Sequence, residues 1–354
     1  MREKLDMRRC FPALLILLVT SPPALAKAPE PGPLAAKAIE TVLLPRYRTF
    51  ADKTAAQTEA WKRACADGDP APDLETLRDA YQQAADGWAA VEFVTTGPIA
   101  TALRPDRVFF GPDRRNYVAK ALAELAGKAR DGEVSPETVR GASVAGQGFP
   151  ALERVLWEPA DLDGTARCRV GSAIAANLSG IAADVLAEWT AANGPLARLK
   201  RGEGDPVSFA DPAQAAARLM TDLAGGVQRI NDLKLLPVLG SGPDAARPKA
   251  AEGWRSGRSA RAIRVTVASL AELAKVFAEA APADVAKTDA KDFAAAQSAV
   301  AKLPDDIGAA AADPARRKTI DAAVAALKLA QRDVAQNLGP ALGVPLGFNA
   351  LDGD

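Results

Sequence analysis

Three segments of this 354-residue chain gather side chains that could do chemistry. Residues 104–115 (RPDRVFFGPDRR) pack Arg104, Asp106, Arg107, Asp113, Arg114 and Arg115 around Phe109 and Phe110. Guanidinium groups recognise carboxylates and phosphates through paired hydrogen bonds. The segment therefore reads either as a loop presenting charge to a ligand or as an ion-paired connection anchored by its phenylalanines. Residues 146–159 (GQGFPALERVLWEP) set Gly148 before a helix and Pro150 in its first turn, with Leu152, Leu156 and Trp157 on an apolar face. Glu153 falls at i+3 from Pro150 and by itself reads as a solvated or helix-start acid. Residues 254–261 (WRSGRSAR) bring Arg255, Ser256 and Ser259 to the start of a helix. They could bind an anion or a protein carboxylate there, or one serine could cap the helix while the arginines stay in solvent.

The chain has no histidine. Histidine is the commonest metal ligand and the side chain that titrates near neutrality, so Ser-His-Asp and Cys-His mechanisms are excluded. His-ligated zinc is excluded with them, and three cysteines are too few for a four-cysteine zinc centre. Lysine plus arginine equal aspartate plus glutamate at 44 each, so no global basic field points to nucleic acid. No serine or cysteine has an identifiable general base.

In order along the chain, Thr96-Gly97-Pro98, residues 104–115, residues 148–157, Trp254 through Ile263 and the terminal residues 346–354 (LGFNALDGD) resemble the imelysin family. These are exported bacterial proteins classed as M75 peptidases and related to iron-regulated and iron-uptake-associated proteins. The resemblance implies an all-α fold of two packed helical bundles, with a functional site where they meet. The family's hallmark is G-x-H-x-x-E. Here it reads Gly148-Phe149-Pro150-Ala151-Leu152-Glu153, with Pro150 in place of the histidine. A His-x-x-Glu pair could give a nitrogen and a carboxylate to one metal, whereas proline offers no ligand. The expectation is thus a non-catalytic, ligand- or cation-binding accessory factor linked to iron uptake. A metallopeptidase is disfavoured. A third reading is a peptide- or protein-interaction module whose arginines at 104–115 and 255–261 grip an anionic envelope partner in the groove between the bundles. Any cation would be oxygen-coordinated, with Glu153 as the best ligand and Asp106, Asp113 and Asp352 beside it. The candidate ligand-binding set is Glu153, Arg104, Asp106, Arg107, Asp113, Arg115, Trp157, Arg255, Ser256, Ser259 and Asp352.

The elements that must position these residues are helical. Alanine is the most frequent residue, and apolar positions step by three and four through Leu74–Val91, Ile174–Val185 and Ile263–Phe277, and with one missed step through Ile320–Leu338. No period-two run predicts a strand. Pro45 is expected to kink or break the first helix, and Asp113 to cap one beginning at Arg114. Residues 237–253 and 302–316 read as loops, the second with a helix fragment at Ala309–Ala312. Residues 1–26 read as a signal peptide: Arg2, Lys4, Arg8 and Arg9, then an apolar run, then Ala24-Leu25-Ala26, with cleavage after Ala26 and a periplasmic destination. No later segment is expected to span a membrane. The mature chain divides into an extended leader (27–33), an N-terminal bundle (34–196), a linker (197–207) and a C-terminal bundle (208–354). After cleavage Cys65 and Cys168 remain, and in an oxidising compartment they predict one disulfide.

Overall fold

The computed structural model describes residues 30–132, 134–158 and 162–347. The expected signal peptide and Asp352 lie outside the described residues. In chain order the helices are α1 (Pro31–Ala38), α2 (Leu44–Ala64), α3 (Leu74–Ala89), α4 (Arg104–Val108), α5 (Tyr117–Arg130), α6 (Pro136–Gly141), α7 (Phe149–Trp157) and α8 (Gly164–Thr190). There follow α9 (Pro195–Lys200), α10 (Pro212–Arg229), α11 (Leu236–Leu239), α12 (Ser259–Ala278), α13 (Ala283–Ala301), α14 (Ile307–Ala312), α15 (Pro314–Asp333) and α16 (Gly339–Ala341). The fold is all-α. The β-type pairing among the described residues is an isolated bridge between Asp205 and Phe209.

The predicted apolar stripes form the core. Leu77, Tyr81, Ala84 and Trp88 of α3, Ile174 to Val185 of α8, and Ile263 to Phe277 of α12 are buried in one contiguous apolar cluster. Helix α8 packs along α2 at close range because residue 171 is glycine. A Cβ there would lie 2.2 Å from the Trp61 ring. The Cys65–Cys168 disulfide joins the end of α2 to the start of α8, as expected. Within Gly164–Lys200 an 18-residue window has a mean hydropathy of 1.5, long and apolar enough to cross a membrane, which the sequence reading did not anticipate. More than half of that window, 56%, is buried against the rest of the protein. Its apolar character is therefore met by the core.

Three local expectations are corrected. Pro45 does not break its helix. The chain widens into a π-helical turn at Ile39–Leu43 and resumes as α2. The same arrangement precedes Pro237 (Ile230–Leu235) and Pro340 (Val334–Leu338). Proline lacks an N–H and its ring collides with the carbonyl four residues back. A wider turn moves that carbonyl away, so the helix survives at the cost of a local bulge. Residues 302–316 are mostly helical, with Asp306 and Asp313 accepting N–H bonds at the starts of α14 and α15. The expected leader already enters α1 at Pro31, and the expected linker begins inside α9.

The early and late helices interlock. Helix α1 lies on α10 and α12, and α3 runs against α12. Ser269 of α12 donates to the Ala90 carbonyl at the end of α3 (2.6 Å), supplying a partner that the last turn of α3 lacks. Arg258 and Arg261, at the start of α12, both bind Asp86 of α3, with contacts of 3.0 and 2.5 Å. The end of α3 is thus fixed over α12, and a cavity opens there.

Candidate ligand-binding cavity

Gly148 sets the first wall. A Cβ on it would lie 2.2 Å from the Val108 carbonyl oxygen and 2.6 Å from that of Arg107. Glycine is what allows α4 to end against the start of α7. Arg107 Nε donates to Gln147 Oε1 (2.8 Å), and the Gln147 amide donates to the Arg140 and Ala142 carbonyls (3.1 and 2.7 Å). Asn177 Nδ2 of α8 donates to the Gln147 carbonyl (3.0 Å). At the other end of α7, Arg78 donates to the Leu156 carbonyl and stacks 5.3 Å from the Trp157 ring. A nine-residue helix is thereby held at both ends.

Glu153 projects from α7 and is only 5% exposed. Its Oε1 accepts the Ser256 backbone N–H (3.0 Å) and the Ser256 hydroxyl (2.5 Å). Burial pushes its carboxyl above the usual carboxylate range, opposed by the Ser256 bonds and by Arg255 and Arg258. Pro150, one turn earlier, lines the cavity.

The floor carries a second set of charges. Lys234 Nζ lies 2.5 Å from Glu92 Oε1 and 2.9 Å from Glu252 Oε1, and all three are largely sheltered from solvent. Thr266 Oγ1 also donates to Glu92 Oε1 (2.7 Å). Burial disfavours the ammonium, but Glu252 and Glu92 outweigh it and hold Lys234 above its ordinary range. Burial likewise raises Glu252, against the pull of Lys234. Lys234 sits within the π-helical turn at Ile230–Leu235 ahead of Pro237.

Between these walls lies a cavity of about 590 Å³, within the range that takes small molecules. All three sequence segments reach it. Asp106, Asp113, Arg114, Glu153 and Arg255 line it, with Phe109 and Phe110 from the first segment and Trp254 from the third. Asp113 accepts the Tyr117 and Val118 N–H groups (2.8 and 3.0 Å), so it caps α5 from a distance; that helix starts three residues later than expected. Arg255 lies over the Trp254 ring (4.4 Å to its centre) with Nε 2.7 Å from Glu158.

Other candidates face elsewhere. Arg104 is buried in a paired contact with Glu188 of α8 (2.9 and 2.5 Å) and donates to the Pro98 carbonyl (2.7 Å). Arg107 is engaged by Gln147, as above. Arg115 is exposed and reaches Tyr117. Trp157 packs edge-on to Tyr81 at 5.2 Å. Ser256 is occupied by Glu153, and Ser259 donates to the Glu252 carbonyl (2.6 Å); neither serine caps α12. Glu92, Arg154, Arg229, Lys234, Arg247, Lys249 and Glu252 also line the cavity and were not in the sequence-derived set.

An oxygen-coordinated cation fits these residues poorly. Among the described residues no three Asp, Glu or Cys side chains come together as a metal-ligand set. Glu153 already accepts two bonds from Ser256, and Glu92 and Glu252 close on Lys234.

Residues 43–334 match the family model described as Imelysin. Among solved structures, an imelysin-like protein from Psychrobacter arcticum superposes with a TM-score of 0.75 at 22% identity, over 92% of this chain and 100% of that one. A protein from Parabacteroides distasonis, described as an iron-regulated protein A precursor, superposes with a TM-score of 0.70 at 16% identity, over 88% of this chain and 95% of that one. At such identities the likeness is one of fold. No curated protein matches the chain.

Proposed function

Because the chain belongs to the imelysin family, we propose that it is an exported, non-hydrolytic accessory protein that takes a small ligand into the cavity between α3, α7, α10 and the 247–255 segment. The observation that carries this reading is the state of the hallmark pair. Pro150 offers no ligand, and Glu153 is bonded through Oε1 to both donors of Ser256. A hydrolytic zinc site needs about three protein ligands and an open position for water. The donors here are already committed to one another.

The expected setting is the periplasm. Supporting it are the basic, apolar and Ala24-Leu25-Ala26 pattern of the N-terminus and the Cys65–Cys168 disulfide. The description of the Parabacteroides neighbour favours a role beside iron acquisition, in which the protein would bind a partner or ligand of an uptake system. This predicts that its abundance rises when cells are starved of iron.

Incubating the mature protein with unfolded casein, with and without chelator, tests the non-hydrolytic part. The expected result is no cleavage in either arm. Chelator-sensitive cleavage that survives repurification would overturn the reading. Calorimetric titration with Ca²⁺, Fe³⁺ and Zn²⁺ should give no stoichiometric binding that depends on Glu153.

A further inference from the structure

We infer that the ligand of this cavity is a small organic anion with an apolar or aromatic body, held at the mouth by Arg229, Arg247 and Lys249. The inference rests on the proposed binding role and adds the class of ligand. It follows from asking which wall charges are already spent. Glu92 and Glu252 close on Lys234, Glu153 on Ser256, and Asp113 on the first N–H groups of α5. The acids of the wall, apart from exposed Asp106, are therefore already engaged within the fold.

Lys234, Arg154 and Arg255 are paired in the same way, but Arg247, Lys249 and Arg229, whose charge acts at a distance on buried Asp222, are not. Among the described residues no hydrogen bond or ion pair engages the guanidinium groups of Arg229 or Arg247, and both line the cavity. Lys249 only lies over the Trp254 ring, 5.4 Å from its centre, which leaves its N–H donors open. Two guanidinium forks and an ammonium lining one cavity, two of the three on exposed residues, are suited to carboxylate or phosphate oxygens. A cation would meet this positive rim and find the floor carboxylates already holding Lys234. Phe93, Phe109, Phe110 and Trp254 give the walls apolar faces for the rest of the molecule.

The test uses two dyes with the same ring system and different charge: 8-anilinonaphthalene-1-sulfonate and the neutral N-phenyl-1-naphthylamine. The sulfonate should bind the mature protein at one saturable site, about tenfold or more tighter than the neutral dye. Its affinity should fall with added salt and be reduced by citrate or inorganic phosphate. The double variant Arg247→Ala, Lys249→Ala alters two exposed side chains and should keep the fold. It should weaken the sulfonate by about tenfold or more and leave the neutral dye unchanged. Equal affinity for the two dyes, indifference to both substitutions, or no displacement by either anion would overturn the anion assignment and leave cavity binding standing. If neither dye binds, or if Ala250→Trp at the mouth leaves dye binding unchanged, cavity binding itself fails along with it.

Discussion

Ser256 donates both its backbone N–H and its hydroxyl to a single oxygen of Glu153, at 3.0 and 2.5 Å, and so ties the start of the α12 region to α7. The bond spans residues far apart in sequence and closes one side of the cavity. Removing the hydroxyl in Ser256→Ala leaves a buried carboxylate with one fewer donor. The expected loss is about 1–3 kcal/mol of stability. The folded-state pKa of Glu153 is already raised, and the substitution raises it further. A raised pKa means that stability is greatest where the carboxyl is protonated and falls as pH rises. Chemical denaturation should therefore show a larger deficit at alkaline than at acid pH. An equal deficit at both would count against this coupling.

Pro150→His restores the family's residue one helical turn from Glu153. Because Ser256 holds Glu153, zinc binding by this variant should stay weak. Adding Ser256→Ala removes one of the two bonds that hold Glu153 and should tighten binding about tenfold, in proportion to one charge-assisted hydrogen bond. Calorimetry on the single and double variants measures the difference. Tight zinc binding by Pro150→His alone would show that Ser256 does not restrain Glu153.

Much of the scaffold and part of the site were legible in the sequence, and the division has physical causes. Helices α3, α8 and α12 announce themselves because their buried faces recur at helical spacing. Gly148 and Glu153 stand out because they share one short contiguous motif. Lys234, Glu92 and Glu252 were invisible for a different reason. Lys234 sits in an otherwise ordinary amphipathic stretch, and its place on the cavity floor accompanies a π-helical turn ahead of Pro237 that periodicity does not encode. Arg104 and Arg107 follow the other reading of their segment, a connection bonded within the fold. Their spacing resembles a ligand-binding loop, yet their partners, Glu188 and Gln147, come from distant segments.

Asp289 of α13 gives a pH prediction away from the cavity. It is 2% exposed, faces Asp333 of α15, and leaves Oδ1 without a hydrogen-bond partner. Burial, with the nearby Asp333 and Asp292 charges, pushes its carboxyl up to about 7. Its contribution is therefore fully present below about pH 4, the unfolded carboxyl range, and is lost as pH rises through about 7. The interval corresponds to up to about 4 kcal/mol. Asp289→Asn keeps the shape without the charge. It should make the protein more stable near neutrality and flatten stability against pH across that window. A pH profile identical to the wild type would refute the assignment.

The disulfide between Cys65 and Cys168 spans 103 positions in the sequence. Restricting so long a loop in the unfolded chain is worth up to about 4.7 kcal/mol in the chain-entropy account. Replacing both cysteines by serine should lower unfolding free energy by a few kcal/mol and leave the helical content unchanged, as read by circular dichroism. A loss below about 1 kcal/mol would mean that the close α2–α8 packing at Gly171 already holds the two ends together.

Two glycines separate a packing requirement from mere composition. Gly148 has no room for a Cβ: the Val108 and Arg107 carbonyl oxygens lie 2.2 and 2.6 Å from where it would sit. Backbone cannot step aside as a flexible side chain can, so Gly148→Ala must push α4 away from α7. The expected cost is about 1–3 kcal/mol or more. Hydrogen exchange should rise in residues 104–118, because the Arg107–Gln147 bond loosens with them. Gly127 lies inside α5 with nothing within 4 Å of its would-be Cβ. There the same substitution should stabilise by about 0.5–1 kcal/mol, since alanine costs less backbone entropy in a helix. Opposite signs at these two positions would tie the hallmark glycine to the close approach that builds the cavity wall. Equal effects would mean that Gly148 is retained for some reason other than contact with α4.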